Sequence, residues 1–357
     1  MIFPALRNTI LRYGVTLATL LLLATFAFGQ HYQQTNLVSD LPGVAARTDT
    51  NLINAWGLAR SGTSPWWVNS AGASVSILYN GSGEAFPPAS PLVVSVPPSG
   101  SEPTGIVFNG TTDFEVGIGA PARFIFVTTD GVISGWNPAV DPNAVVVKDN
   151  SDSAAYTGLA ISQSEGKNYI YAANFKAKQV EVYDGKFDPV SFGSSAFHDP
   201  DLPEDFSPFN VQAIGDRIYV TFAKLEEGGD EEIQGAGLGY VDAFNASGEL
   251  VLRLKHGRWL NAPWGVALAP AQGFGKFSGE LLVGNLGSGE IAVYNPTTGN
   301  FHGLLRDIHG KPIEIEGLWA LGFGNGANAG PATTLFFAAG IEDETHGLFG
   351  TITPVPK

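Results

Sequence analysis

From residue 30 onward, apolar and polar residues alternate over short runs broken by Gly, Asn, Asp and Pro. A period of two describes half-buried β-strands, and no run between them keeps the spacing of an amphipathic helix. The runs also recur as groups. An apolar segment built around Gly or Trp appears six times, at Ala55–Ala59, Pro103–Val107, Tyr156–Ala160, Phe209–Ala213, Pro263–Ala267 and Gly317–Leu321. Aligning Gly57, Gly105, Gly158, Val211, Gly265 and Trp319 sets the units about fifty residues apart.

Each segment leads into an aromatic and β-branched run: Trp66–Asn69, Phe124–Val127, Tyr169–Ala172, Ile218–Thr221, Leu281–Gly284 and Leu335–Ala338. A third run follows every time, at Ser74–Tyr79, Val132–Trp136, Gln179–Tyr183, Gly239–Phe244, Glu290–Tyr294 and Gly347–Ile352. A weaker fourth is seen at Leu92–Val96, Ala144–Lys148 and Leu250–Leu254. Four antiparallel strands per unit predict an all-β fold, a six-bladed β-propeller. The sixth unit is one strand short, and Gln33–Val38 is expected to complete that blade and close the ring, which removes the exposed edges. A pair of β-sandwiches would not repeat with one period. No linker breaks the pattern, so residues 30–357 are expected to form a single domain. The charged, Gly-rich stretch Lys224–Gly239 is expected to be a mobile loop.

The N-terminus changes the picture. Arg7 and Arg12 precede the apolar run Val15–Phe28, and Ala27–Gly29 offers a small-x-small cleavage pattern, so residues 1–29 read as a signal peptide. The chain is then expected in the periplasm or outside the cell, with no integral span after cleavage. The net charge of −15 becomes −17 once the two arginines leave. That excess of acid argues against nucleic acid as a partner. With no Cys there is no disulfide, thiolate site or Cys nucleophile.

In a propeller the loops leading into the inner strands and those joining second and third strands share one face. They would bring together Asn54, Trp56, Asn69, Glu102, Asn174, Asn210, Asn261, Trp264, Asn285, Glu316 and Trp319. Oxygen donors of this kind suit a hard cation such as Ca²⁺, with Glu102, Asn174, Asn210 and Glu316 as candidate ligands. Asn at strand ends equally caps turns, and Trp equally packs between blades. His346, beside Glu342, Asp343 and Glu344, is the one His placed to act as a catalytic base. The acidic stretch Asp199–Pro208 reads first as a rigid connection between units three and four. The chain lacks a nucleophile elbow, an H-E-x-x-H zinc motif and a P-loop.

The stretches Asp199–Pro203, Ser207–Gln212, Asn261–Pro270, Leu281–Asn285, Glu316–Leu321 and His346–Gly350 resemble a family of uncharacterised exported bacterial proteins, some of which carry a PEP-CTERM sorting signal. The resemblance implies a propeller fold and export, and it supplies no catalytic residues. Two functional readings follow. The first is a non-enzymatic binding or scaffold module, monomeric, with an extracellular or periplasmic partner. The second is a Ca²⁺-dependent hydrolase or lactonase, by similarity of the donor ring to gluconolactonase-like propellers. A streptogramin-lyase-like reading rests on the propeller repeats alone.

Overall fold

The computed structural model describes residues 31–355, so the leader read over residues 1–29 lies outside the described residues. The described chain is a six-bladed β-propeller, and it contains no α-helix. Four antiparallel strands make blade one, from the inner strand Ala55–Ala59 through Trp66–Ser70 and Val75–Tyr79 to the outer Val93–Ser95. Blades two to five repeat this order from inner strands Pro103–Phe108, Tyr156–Ser164, Phe206–Ile214 and Pro263–Leu268.

Blade six runs from Leu318–Phe323 through Leu335–Ile341 to His346–Pro354, and Tyr32–Ser39 is its outer strand. The closing strand pairs antiparallel from Tyr32 opposite Pro354 to Ser39 opposite Leu348, so the expected closure by Gln33–Val38 is what the chain does. Arg47–Thr48 adds a short parallel strand outside it.

Every inner strand carries a register shift near its start against the second strand, for example between Ala55 and Leu58 and between Pro263 and Val266. Such a bulge bends the strand where the ring is narrowest. It also explains the repeating Gly. A Cβ on Gly57 would sit 2.1 Å from Thr104 O, one on Gly105 2.4 Å from Leu159 N, and one on Gly265 2.5 Å from Trp319 O. Neighbouring inner strands pass too close there for a side chain.

The register corrects two members of the aligned series. Asn210 and Ala320, rather than Val211 and Trp319, occupy the places of Gly57 in blades four and six: with no Gly at the bulge to mark the place, the aligned motif lies one residue late in blade four and one early in blade six. Asn210 uses its larger side chain: its Nδ2 donates to Trp264 O in the next blade at 2.8 Å.

The core lies between blades as well as within them. Ile125, Val127 and Ile133 of blade two pack in one cluster with Leu159, Ile170 and Ala172 of blade three. The stretch Lys224–Gly239, expected to be a mobile loop, is partly folded: Glu232–Ile233 pairs back on Lys224–Leu225, and Gly235 N donates to Asn261 Oδ1 at 2.6 Å. Asp199 and Asp201 grip the Arg253 guanidinium of blade four at 2.6 and 3.1 Å, which ties their segment to that blade.

Candidate functional site

The ring position just before the bulge Gly is filled by Trp56, Thr104, Thr157, Phe209, Trp264 and Trp319. Four of these are aromatic and they meet in the channel. Trp56 stacks on Trp319 with ring centroids 3.6 Å apart and planes 16° apart. Phe209 and Trp264 approach Trp319 at 5.7 and 6.0 Å. Trp264 Nε1 reaches past blade four to donate to Thr157 O of blade three at 2.9 Å. All three Trp side chains are buried, so they plug the channel and offer no stacking platform.

The asparagines of the predicted face stitch loops to strands. Asn69 Nδ2 donates to Thr104 O at 3.0 Å, tying blade one to blade two. Asn174 and Asn285 end the second strands of blades three and five, and each accepts the N–H of a residue leading into its own inner strand, Ala155 N and Asn261 N. Ser70 does the same for Ile53 N in blade one, at 2.8 Å. Asn174 Nδ2 also donates to Glu181 at 2.7 Å. Burial pushes the Glu181 carboxyl up, but donors from Tyr156, Tyr183, Asn174 and Gln179 outweigh it and hold the group below the usual carboxylate range.

The four expected Ca²⁺ ligands are therefore engaged separately. Asn174 serves Glu181, Asn210 serves Trp264 O, Glu102 accepts from Thr129 Oγ1 at 3.2 Å, and Glu316 accepts from Glu342 N at 3.0 Å. Of the two amides, Asn174 has its Oδ1 taken by the Ala155 and Ala177 N–H groups, whereas Asn210 bonds through its Nδ2. Among the described residues no group of three or more His, Asp or Glu side chains is placed to hold a metal ion.

What the face does present is an acidic cleft. A cavity of about 480 Å³ between blades five and six is lined by Glu314, Glu316, Asp343 and Glu344, with Gln234 and Ser288 among the remaining lining residues and no basic side chain. Glu342, Asp343 and Glu344 hold the loop of blade six with φ of 53°, 52° and 64°, three successive non-Gly residues in the left-handed region. Such backbone is costly for residues with a side chain. Asn54 fixes Glu344: its Nδ2 donates to Glu344 Oε2 at 2.9 Å while its Oδ1 accepts from Trp319 Nε1 at 3.0 Å. Burial first, then the charges of Glu232, Glu102 and Glu231, push the Glu344 carboxyl up to about 7.

His346 lies at the rim of this face. Asp40, far away in sequence, holds its Nδ1 at 2.6 Å, and Glu342 Oε2 is 3.8 Å from its Nε2. The hydrogen bond that the ring donates to Asp40 raises the imidazole pKa. Sequence reasoning named Glu342, Asp343 and Glu344 as neighbours of His346 and missed Asp40, Glu314 and Gln234. Only strand closure brings Asp40 there, and only the folded-back stretch before Gly239 brings Gln234.

Fold and face together define a six-bladed propeller with an aromatic-plugged channel and one acidic mouth. No known family profile matches the chain. It belongs to the family of uncharacterized protein R648 of Acanthamoeba polyphaga mimivirus, to which it is 30% identical over 327 residues, covering 88% of this chain and 78% of that one. Protein L690 of the same virus is 28% identical over 327 residues, covering 88% and 84%. Protein R640 is 38% identical over 205 residues, which are 56% of this chain and 37% of R640.

These viral relatives correct the expected membership of an exported bacterial family with PEP-CTERM-bearing members. The stretches that carried that resemblance, such as Asn261–Pro270 and Glu316–Leu321, include the bulged inner strands and the residues leading into them. Their Gly, Trp and Pro answer to blade packing, which sequences of different lineage share. Among solved structures, an aldose sugar dehydrogenase from Escherichia coli matches with a TM-score of 0.53 at 13% identity, covering 91% of this chain and all 100% of that one. A streptogramin B lyase matches with a TM-score of 0.51 at 10% identity, covering 91% and 98%. At such identities the likeness is one of fold. Among the described residues no helix is long and apolar enough to cross a membrane.

Proposed function

We propose that this propeller is a binding module that takes a cationic group of its partner into the acidic cleft between blades five and six. The observation that carries the reading is the convergence of Glu314, Glu316, Asp343 and Glu344 on one cavity that no basic side chain lines. Four carboxylates on one cavity make a field that favours a cation, and burial together with the charges of Glu232, Glu102 and Glu231 raises the cost of ionising Glu344, which a bound cation would relieve. The fixed placement of Glu344 by Asn54 supports a prepared site, since a preorganised acceptor loses little entropy on binding. The leader read over residues 1–29 supports an exported module.

Spermidine and Ca²⁺, titrated separately by calorimetry, test the reading. Because Glu344 is poised near pH 7 and a cation prefers its carboxylate form, spermidine should bind more tightly at about pH 8 than at about pH 6. Glu344→Gln should flatten that dependence. Absence of saturable spermidine binding would remove the proposal, and tight Ca²⁺ binding in its place would favour the Ca²⁺-dependent hydrolase.

A further inference from the structure

On the opposite face the axial channel opens as a funnel of about 440 Å³, lined by the far ends of all six inner strands. Leu58, Phe108, Ile161, Ile214, Leu268 and Phe323 line it, one from each blade, and Leu268 is 41% exposed at the rim. Only two lining side chains are polar or charged, Arg60 and Gln212. The volume falls within the roughly 300–1,000 Å³ typical of small-molecule sites. Trp56, Phe209, Trp264 and Trp319 fill the channel between this funnel and the acidic face, so the two do not share a ligand.

Arg60 is the unusual member. Its guanidinium lies over the Trp66 ring, 5.6 Å from the centroid, and its Nε donates to Phe323 O at 2.6 Å. Beyond that it has a long 3.4 Å contact to Ser61 O, and among the described residues no carboxylate pairs with it. Partial burial of this charge among mostly apolar side chains and strand-end backbone is unfavourable and lowers the Arg60 pKa. The guanidinium stays charged at neutral pH and keeps donors for a planar anion.

We propose that the funnel binds an amphiphilic carboxylate, an alkyl or aryl acid whose apolar body lies against the ends of the inner strands and whose carboxylate meets Arg60. The apolar wall supplies affinity by burial and the single cation supplies selectivity for the acid over a neutral analogue.

Decanoate and decanol, each titrated into the full chain by calorimetry and by its tryptophan fluorescence, to which the funnel-lining Trp66 contributes, test this. Decanoate should bind saturably and at least about tenfold more tightly than decanol. Arg60→Met should abolish that margin while leaving the melting temperature close to that of the parent. Leu268→Glu, on the exposed rim, gives an independent arm: it should weaken decanoate by repulsion and leave decanol less affected. No saturable binding of decanoate, equal affinity for acid and alcohol, or an Arg60→Met protein that keeps the margin would each overturn the proposal. The acidic cleft on the other face is untouched by these variants, so spermidine binding remains a separate result.

Discussion

His346 Nδ1 lies 2.6 Å from Asp40 Oδ2 across the seam where the ring closes, although 306 residues separate them. The other oxygen of Asp40 accepts Gly347 N–H at 2.9 Å. Asp40 follows directly on the closing strand, and His346 opens the strand with which it pairs. One carboxylate thus ties the end of the closing strand to the start of the strand it pairs with.

This clasp predicts that closure is pH-dependent. Asp40 raises the His346 pKa, so the folded chain holds that proton more tightly than the unfolded one. The ion pair contributes fully below the ordinary His pKa of about 6.5 and is lost as pH rises through the raised value. Asp40→Asn, which can still accept the Gly347 N–H, should lower the melting temperature more at about pH 6 than at about pH 9. An equal loss at both would show that the charge plays no part in closure.

A second titration acts in the opposite place, inside blade four. Asp242 is 3% exposed, its Oδ2 has no hydrogen-bond partner, and burial followed by the charge of Asp199 pushes its carboxyl up to about 8. Between the usual carboxylate pKa near about 4 and this value the unfolded chain has shed the proton and the folded chain keeps it. Stability therefore falls as pH rises across that window. Asp242→Asn removes the titration, and urea unfolding should find it more stable than the parent by at least about 1 kcal/mol at about pH 9, with little difference near pH ~4. A variant weaker at both values would mean that the site needs the carboxyl itself.

The channel plug separates a hydrogen bond from a packing contribution. Trp264→Phe keeps a ring and loses the Nε1 bond to Thr157 O, leaving a buried carbonyl without that donor, for a cost of about 1–2 kcal/mol. Trp319→Ala removes the ring on which Trp56, Phe209 and Trp264 converge and should cost about 3–5 kcal/mol. Urea midpoints at unchanged m-values check the order. If Trp264→Phe proves the costlier change, the aromatic contacts are not what holds the channel shut.

The blades were legible because a period of two and a Gly at each close approach of neighbouring strands leave marks in local sequence, as at Gly57, Gly105 and Gly265. Closure was legible from a count of strands. The assignment of Val211 and Trp319 went astray by one residue each, in opposite directions, because blades four and six have Asn210 and Ala320 where the other blades have the marker Gly. The site was less readable. Asn54, Glu316 and Trp319 fall on the predicted face, yet what each does depends on a distant partner: Glu344 for Asn54, the Glu342 N–H for Glu316, and Trp56 for Trp319. A turn cap and a metal's oxygen donor are the same side chain, so sequence alone offers an Asn both roles and the bonding partner is what separates them.

The closing strand itself supplies the last test. Tyr32 is fully buried, its ring stacks on Phe277 at 6.0 Å, its hydroxyl donates to Phe274 O at 2.9 Å, and its N–H donates to Arg306 O at 2.8 Å. These contacts bind the outer strand of blade six to blade five, so Tyr32 anchors the seam at the end opposite Asp40. Tyr32→Ala should cost about 3–5 kcal/mol, since it empties a large buried site and strands a carbonyl. A chain that starts at Leu41 would go further and expose His346–Pro354 as a bare edge strand, which pairs readily with another copy. Size-exclusion chromatography should then show oligomers or aggregate where the chain with its closing strand elutes as a smaller species. A truncated chain that elutes as that smaller species and melts at the same temperature would mean that the ring draws no stability from its closure.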